Sequence, residues 1–167
     1  VDKWTRAQMA IENGIDLVIE LPTVYAISSA ENFASGAVKI LDSLGIVNFL
    51  SFGSECNDIS ILSQVTDVLV DEPSEYKALL SHELDKGVSF PKARERALMM
   101  YLNDVRRFAS VLSSPNNILG IEYLKALKRQ KSLMQPITIQ RKDSKYNDDT
   151  IPTDSQFASA TALRKLC

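Results

Sequence analysis

The chain has 167 residues, the length of one ordinary domain, and its 45% hydrophobic and 24% charged fractions are close to the average of soluble globular proteins. These values exclude collagen-like, low-complexity and disordered classes, and no apolar run approaches the roughly 20 residues of a membrane-spanning helix. The two cysteines, Cys56 and Cys167, are too few for a disulfide scaffold or a cysteine-rich zinc site. The start of the sequence lacks the pattern of a signal peptide. Together these features predict a cytoplasmic protein with no membrane partner.

The net charge of −2 hides an asymmetry between the two halves of the sequence. Residues 1–85 carry 4 basic and 14 acidic side chains, whereas residues 86–167 carry 15 basic and 7 acidic ones. A basic half is typical of a protein that binds a polyanion. A solvated helical face explains the same bias equally well.

The first half of the chain alternates between helical and strand patterns. Helical spacing of apolar residues predicts a helix that begins at Asp2 and ends at Gly14, with Trp4 as a core anchor. Two short apolar runs predict parallel strands over residues 16–21 and 46–52, and a helix is expected between them over residues 30–44. A strand–helix–strand unit of this kind predicts an α/β fold with a parallel sheet.

The second half is predominantly helical in pattern. Helices are predicted to begin after Asp58, near Pro73 (ending at Gly87), at Pro91 and at Ser114-Pro115. A third strand is expected over residues 136–141, a polar loop over 144–155 and a last helix over 157–165. The whole chain is interpreted as one domain with a helical insertion over residues 58–113.

Polar residues follow two of the predicted elements at positions where open α/β sheets bind ligands. Gly53 allows a ligand to approach the backbone, and Ser54 and Glu55 can reach a ribose, a base or a metal. Asn116 and Asn117 lie at the start of a helix, where free N–H groups favour anions. Each motif also has the composition of an ordinary loop or cap, so neither is specific alone.

A third motif combines two hydroxyls with an arginine at the start of the last predicted helix. Ser159, Thr161 and Arg164 have the spacing needed to hold the oxygens of a phosphate chain. This motif resembles the Ser-Ser-Thr-x-Ile-Arg signature of the nucleotidyltransferase superfamily related to class I aminoacyl-tRNA synthetases. The fold expected from this resemblance is a Rossmann-like nucleotidyltransferase core.

Five motifs in a fixed order extend the resemblance over essentially all 167 residues. They are Lys3-Trp4-x-Arg6-x-x-Met9-Ala10, Gly14-x-Asp16-Leu17-Val18-x-Glu20-Leu21-Pro22, Phe52-Gly53-Ser54-Glu55, Pro115-Asn116-Asn117-Ile118-Leu119-Gly120-x-x-Tyr123 and Ala158-Ser159-Ala160-Thr161-x-x-Arg164. In this order they resemble the bacterial tRNA(Met) cytidine acetate ligases.

The resemblance implies an enzyme that uses ATP, with Mg²⁺, to convert free acetate into acetyl-adenylate. The acetyl group then passes to the wobble cytidine of elongator tRNA(Met), giving N4-acetylcytidine, and DNA is not a partner. The family's nucleotide-binding residues correspond to Gly53, to Asn117 (or, less closely, Asn116) and to Arg141. Ser159, Thr161 and Arg164 are the catalytic residues expected at the leaving phosphates, and no side chain is expected to bind a metal.

One departure from the family pattern is large. The family begins with a strand and a His-x-Gly-His loop that contacts the ATP phosphates, and the only histidine here, His82, lies in a polar helical stretch. The chain is therefore interpreted as an internal fragment, incomplete at both ends, that lacks the central strand of a 3-2-1-4-5 sheet. We expect the fragment alone to be inactive, and either to aggregate or to bind ATP poorly.

Two alternatives to this function remain open on the sequence. One is an adenylyltransferase that acts on a small molecule, similar to the citrate lyase ligases, and the other is a nucleotide- or RNA-binding module without catalysis. Arg94, Arg96, Arg106 and Arg107 are candidates for contacts with RNA phosphates, or they only make helices soluble. Binding of tRNA separates the first alternative from an RNA-modifying enzyme.

Overall fold

A computed structural model describes residues 1–140, which form eight helices and two strands. In chain order these are α1 (Lys3–Glu12), α2 (Thr23–Ala26), α3 (Ala30–Ser43), β1 (Phe49–Ser54), α4 (Ile59–Asp71), α5 (Ser74–Asp85), α6 (Phe90–Tyr101), α7 (Val105–Ser113), α8 (Pro115–Gln130) and β2 (Gln135–Gln140). No helix within residues 1–140 has the length and apolar content needed to cross a bilayer.

The two strands form a parallel pair, which confirms the predicted α/β class with a parallel sheet. Phe49 lies opposite Gln135 and Ser54 lies opposite Gln140. Five helices, α4 to α8, connect the strands, as a parallel connection requires a crossover. Both strands therefore end at the same edge of the sheet, beside the loop that follows Ser54.

Helix α8 is the central helix of the fold and packs against α3, α4, α7 and β1. A glycine makes its approach to the strand possible, because a Cβ atom at Gly120 would lie 2.6 Å from Cε2 of Phe52. Tyr123, also on α8, packs against the same ring with a centroid separation of 5.6 Å. These contacts place the N-terminus of α8 next to the end of β1.

The helices between β1 and α8 occupy the region predicted to be helical. Asp58 caps α4 by accepting a hydrogen bond from the Ile61 N–H at 3.2 Å, as its sequence position predicted. Helix α7 was not predicted separately, although its N-cap, Asp104, accepts from the Arg107 N–H at 3.0 Å. The definition of residues 58–113 as an insertion stays a prediction.

The predicted strand over residues 16–21 is wrong for the structure described here. The segment has no helix or strand and pairs with no strand within residues 1–140, and Leu17 and Val18 are 62% and 41% exposed. An apolar run shows that a segment favours burial, but a strand also needs a neighbour for its backbone N–H and C=O groups. The predicted strand–helix–strand unit over residues 16–52 is therefore absent, and Trp4, 75% exposed, is not a core anchor.

The predicted strand over residues 46–52 forms two to three residues later in the chain, as β1. Its register is set by pairing with β2, which leaves Ile46 outside the sheet and 75% exposed. The alternation of buried and exposed side chains along β1 places Leu50, Phe52 and Ser54 on the inner face. Phe52 and Ser54 consequently face α8.

Several oppositely charged pairs join the acidic and basic parts of the sequence. Lys128 lies 3.0 Å from a carboxylate oxygen of Asp67 and 3.1 Å from one of Asp71, and Lys125 lies 3.2 Å from Glu31. Part of the charge asymmetry seen along the sequence is therefore neutralised within the fold.

Five predictions concern residues outside the described range. They are the loop over 144–155, the helix over 157–165, and the site assignments of Arg141, of Ser159 with Thr161, and of Arg164. The central strand of a 3-2-1-4-5 sheet likewise stays a prediction.

Candidate functional site

The last residue of β1 is a buried serine whose hydroxyl organises the loop that follows. Ser54 is fully buried, and its Oγ donates to Oδ1 of Asn117 at 2.8 Å. The same oxygen accepts a hydrogen bond from the Asn57 N–H at 3.0 Å. Ser54 was expected to reach a ligand, and the structure instead commits its hydroxyl to the protein.

The carboxylate of Glu55 lies at the N-terminus of α8 and accepts its free N–H groups. Oε2 accepts from the Asn117 N–H at 2.9 Å, and Oε1 accepts from the Asn116 N–H at 3.3 Å and from the Asn116 side-chain amide at 2.7 Å. Ser114, the N-cap residue, makes no side-chain cap bond, because its hydroxyl donates to the Ser110 carbonyl at 2.7 Å. Glu55 thus caps the helix from another element of the fold.

The first N–H groups of α8 were expected to bind an anionic ligand. This expectation is wrong, because these N–H groups already donate to Glu55. The residue Pro115 has no N–H, and the next two N–H groups are bonded to Glu55. A carboxylate at this position also neutralises the partial positive charge of the helix end. The phosphates of a nucleotide would need other groups.

The Asn117 side chain has two ends with different surroundings. Its Oδ1 accepts three hydrogen bonds, from Ser54 Oγ, from the Glu55 N–H at 2.9 Å and from the Cys56 N–H at 3.2 Å. This set fixes the orientation of the amide, because a reversed amide would place its NH₂ group against three donors. Asn117 is only 1% exposed, yet its Nδ2 donates to no residue within 1–140 and is not a fully buried, unpartnered atom. Within residues 1–140, the protein therefore leaves this amide donor unused.

The end of β2 is tied to the same loop. Thr138 Oγ1 donates to Oδ1 of Asn57 at 2.9 Å, and Asn57 adopts a left-handed backbone conformation with φ of 48°. Gly53, which lies opposite Ile139 in the sheet, is exposed beside this loop. The ends of both strands and the start of α8 therefore meet at one corner, defined here as Gly53 to Asn57 with Asn116, Asn117 and Thr138.

Three of the predicted site residues, Gly53, Asn116 and Asn117, are brought together at this corner. The predicted residues Arg141, Ser159, Thr161 and Arg164 lie outside the described residues, and so does Cys167. Sequence reasoning did not assign the capping role of Glu55 or the link from Thr138 to Asn57. The signal for Glu55 was weak, since its helix begins 60 residues later in the chain.

Among the described residues, the corner contains polar groups but neither a cationic side chain nor a metal-binding cluster. Within residues 1–140, no group of three or more His, Cys, Asp or Glu side chains is arranged to hold a metal ion. His82, on α5, is exposed and lies on a helix remote in sequence from the corner. An amide donor, exposed backbone at a glycine and a capped helix suit the uncharged part of a nucleotide better than its phosphates.

A parallel strand pair whose polar groups meet at the carboxyl ends is typical of nucleotide-binding α/β proteins. The chain belongs to the HIGH nucleotidyl transferase family, whose model matches residues 1–167. This confirms the nucleotidyltransferase fold that the motifs indicated.

The similar proteins identify a more specific group within this family. The chain is 52% identical over 164 residues to the tRNA(Met) cytidine acetate ligase of Clostridium novyi, covering 98% of the chain and 40% of that protein. It is also 52% identical over 165 residues to the ligase of the same name from Caldanaerobacter subterraneus, covering 99% of the chain and 40% of that protein. The resemblance given by the five motifs is confirmed. The chain spans about 40% of the length of these curated relatives.

Two solved structures share the fold. The apo structure of Thermotoga maritima TmcAL matches with a TM-score of 0.94 at 40% identity, covering 99% of this chain and 40% of that one. The same protein bound to alpha-thio ATP matches with a TM-score of 0.86, covering 99% and 38% respectively.

Proposed function

We propose that the protein containing this chain is a cytoplasmic ATP-dependent ligase that acetylates the wobble cytidine of elongator tRNA(Met) with free acetate. The observation that carries the proposal is the corner at the strand ends, where Gly53, Asn116 and Asn117 converge in a chain about 50% identical to ligases of that name. The ATP analogue bound by the Thermotoga protein supports ATP as the substrate.

The reaction has two steps. An oxygen of acetate attacks the α-phosphorus of ATP, and pyrophosphate leaves with the electrons of the broken P–O bond. The cytidine amine then attacks the acyl carbon of acetyl-adenylate, loses a proton, and AMP departs. The target base has to be unstacked to present its amine, as is usual for enzymes that modify bases.

The corner contributes binding and orientation to the first step. Asn117 would donate through Nδ2 to the nucleotide, and Gly53 would allow close approach of the ligand to the strand backbone. Asn116 is the alternative amide for binding the nucleotide. Its Nδ2 already donates to Glu55 at 2.7 Å, so Asn116 would contact the nucleotide through Oδ1, which accepts from no residue within 1–140. These groups suit the nucleoside part of ATP.

The phosphate-binding groups are proposed from the sequence resemblance. Arg141 would hold the nucleotide, and Ser159, Thr161 and Arg164 would meet the leaving phosphates, where hydroxyl and guanidinium groups stabilise developing negative charge. Mg²⁺ bound to the ATP phosphates would neutralise charge there, and the described residues offer it no protein cluster.

The four arginines considered for tRNA divide into two pairs. Arg94 lies 3.6 Å from Glu122 and Arg96 lies 3.3 Å from Glu83, and both carboxylates are buried. Arg106 and Arg107 are exposed and form no ion pair within residues 1–140. We therefore assign RNA phosphate contacts to Arg106 and Arg107, and a structural role to the other two.

Isotope transfer tests the proposed function in the full-length protein. With ATP and tRNA(Met), label from acetate should enter the tRNA, and label from acetyl-CoA should not. Transfer from acetyl-CoA alone would contradict the proposal. Formation of acetyl-adenylate without tRNA binding would favour a ligase that acts on a small molecule.

A further inference from the structure

Glu55 and Asn117 form a reciprocal pair of contacts between the end of β1 and the start of α8. The Glu55 carboxylate accepts from the Asn117 N–H at 2.9 Å, and the Asn117 Oδ1 accepts from the Glu55 N–H at 2.9 Å. Each residue therefore holds the backbone of the other. We call these two residues the clasp.

The clasp accounts for the orientation of both asparagines. Oε1 of Glu55 receives the Asn116 side-chain amide at 2.7 Å, so Asn116 cannot turn freely. Asn117 is held by its backbone N–H at Glu55 and by its Oδ1 in the loop. Hydrogen bonds to an ionised acceptor are stronger than those between neutral groups, so the carboxylate holds both residues more firmly than an amide would.

Glu55 also occupies the place that an anion would take at the helix end. The two N–H groups that it accepts belong to the residues that follow Pro115, and no side-chain cap within α8 replaces it. Without this carboxylate, the helix N-terminus would offer two N–H groups and a partial positive charge to a phosphate.

We propose, on the basis of the proposed function, that Glu55 is a positioning residue for ATP. It orients Asn116 and Asn117 toward the nucleotide and keeps phosphate away from the N-terminus of α8. It does not touch the substrate itself. The specificity of the corner for the nucleoside end of ATP therefore depends on a carboxylate inside the protein.

Binding measurements on the full-length protein, without acetate or tRNA, test this role. The near-isosteric Glu55→Gln variant presents an NH₂ group to one of the helix N–H donors, and we expect its affinity for ATP to fall about tenfold or more. Glu75→Gln on α5 is the control, since Glu75 is exposed in the first turn of that helix. Its affinity for ATP should equal that of the parent.

The Glu55→Ala variant supplies a readout that loss of stability alone would not change. Inorganic phosphate should compete with ATP in this variant at concentrations that leave the parent and Glu75→Gln unaffected. If Glu55→Ala fails to fold, the affinity of Glu55→Gln for ATP decides the question.

Three results would overturn the inference. One is ATP binding by Glu55→Gln within twofold of the parent, and another is an unchanged effect of phosphate in a folded Glu55→Ala variant. The third is a changed Mg²⁺ dependence of ATP binding in Glu55→Gln, because this would assign Glu55 to direct contact with the ligand or its metal. If the unsubstituted full-length protein binds ATP but does not use acetate, the proposed function is refuted and the role of Glu55 in ATP binding can still be tested. If it binds no ATP, both the proposed function and the role of Glu55 are refuted.

Discussion

The different surroundings of the two ends of the Asn117 amide allow its structural and binding roles to be separated. The Oδ1 atom satisfies three donors of the loop, and Nδ2 donates to no residue of the described range 1–140. Asn117→Asp keeps the acceptor and removes the donor, whereas Asn117→Ala removes both. The two substitutions should therefore have different consequences.

We expect Asn117→Asp to unfold with a free energy within about 1 kcal/mol of the parent and to bind ATP about tenfold more weakly. The free energy of unfolding of Asn117→Ala should be about 1–3 kcal/mol lower than that of the parent, because the buried Ser54 hydroxyl loses its acceptor. Urea unfolding and ATP titration measure these effects. Asn48→Asp, at an exposed position, controls for the added charge, and parent-like ATP binding by Asn117→Asp would remove Nδ2 from the site.

The buried carboxylate of Glu83 gives the fold a dependence on pH. Lys86, and to a lesser extent Arg96, hold the pKa of Glu83 below its ordinary value, against the opposite effect of burial. A lowered pKa in the folded state means that ionised Glu83 stabilises the protein above the ordinary pKa of about 4.3. This stabilisation is lost as the pH falls through the lower, folded-state pKa.

Glu83→Gln should consequently be less stable than the parent at neutral pH, and the difference in the free energy of unfolding should shrink as the pH falls through the lowered, folded-state pKa of Glu83. Urea unfolding midpoints at several pH values check this. Glu75→Gln provides the exposed control. A difference that stays constant across the range would show that the charge of Glu83 contributes nothing.

At the scale of elements, the contact of α8 with β1 determines the position of the corner. Alanine at Gly120 would bring a Cβ atom 2.6 Å from Cε2 of Phe52, a ring that is already packed against Tyr123 at a centroid separation of 5.6 Å. We expect Gly120→Ala to destabilise the protein by about 1–3 kcal/mol, more than the gain of about 1 kcal/mol from helix propensity. The double variant with Phe52→Leu should lose less free energy of unfolding than the sum of the losses in the two single variants. Strict additivity of these losses would show that the contact with Phe52 does not cause the destabilisation.

Helix α7 carries the prediction for RNA binding. Arg106 and Arg107 lie in its first turn, where cations gain nothing from the helix dipole. Changing both to Gln should weaken binding of tRNA(Met) and flatten its dependence on salt, because fewer counterions are released. Lys77→Gln, an exposed lysine paired with Glu72, is the control. A salt dependence equal to that of the parent would assign these arginines to the solvated surface.

The helices could be predicted because caps and apolar spacing are local signals. The strands were harder to predict, because a strand depends on a partner elsewhere in the chain. Asp58 marked the start of α4 by its cap, but the apolar run over residues 16–21 could not reveal that a partner strand is missing from the described structure. The meeting of Gly53 with Asn116 and Asn117 was implied by the family resemblance, which assigns these residues to one nucleotide site. The role of Glu55 did not, because a helix cap supplied from another element leaves no pattern in neighbouring residues.

At the scale of the whole molecule, the charge asymmetry of the sequence has a partly internal explanation. Lys128 pairs with Asp67 and Asp71, and Arg129 pairs with Glu31. Burial also lowers the number of charges that face solvent, since Glu122 and Lys125 pair at 2.6 Å within α8. The basic surface left for a polyanion is therefore smaller than the sequence count indicated.

The N-terminal part of the chain has a large exposed apolar surface. Helix α1 buries no residue, and Trp4, Leu17 and Phe49 are 75%, 62% and 56% exposed. Exposed apolar surface of this kind favours contact with other protein. The expectation that the 167-residue chain alone is inactive, and aggregates or binds ATP poorly, stays a prediction.

Acetate-dependent exchange of labelled pyrophosphate into ATP tests the central claim most directly, because it reports the first chemical step without tRNA. In the full-length protein, we predict exchange that requires acetate, is independent of acetyl-CoA and is strongly reduced in Asn117→Asp. Exchange that proceeds equally without acetate, or that is unchanged in Asn117→Asp, would contradict the account of this corner as the ATP site of an acetate-activating enzyme.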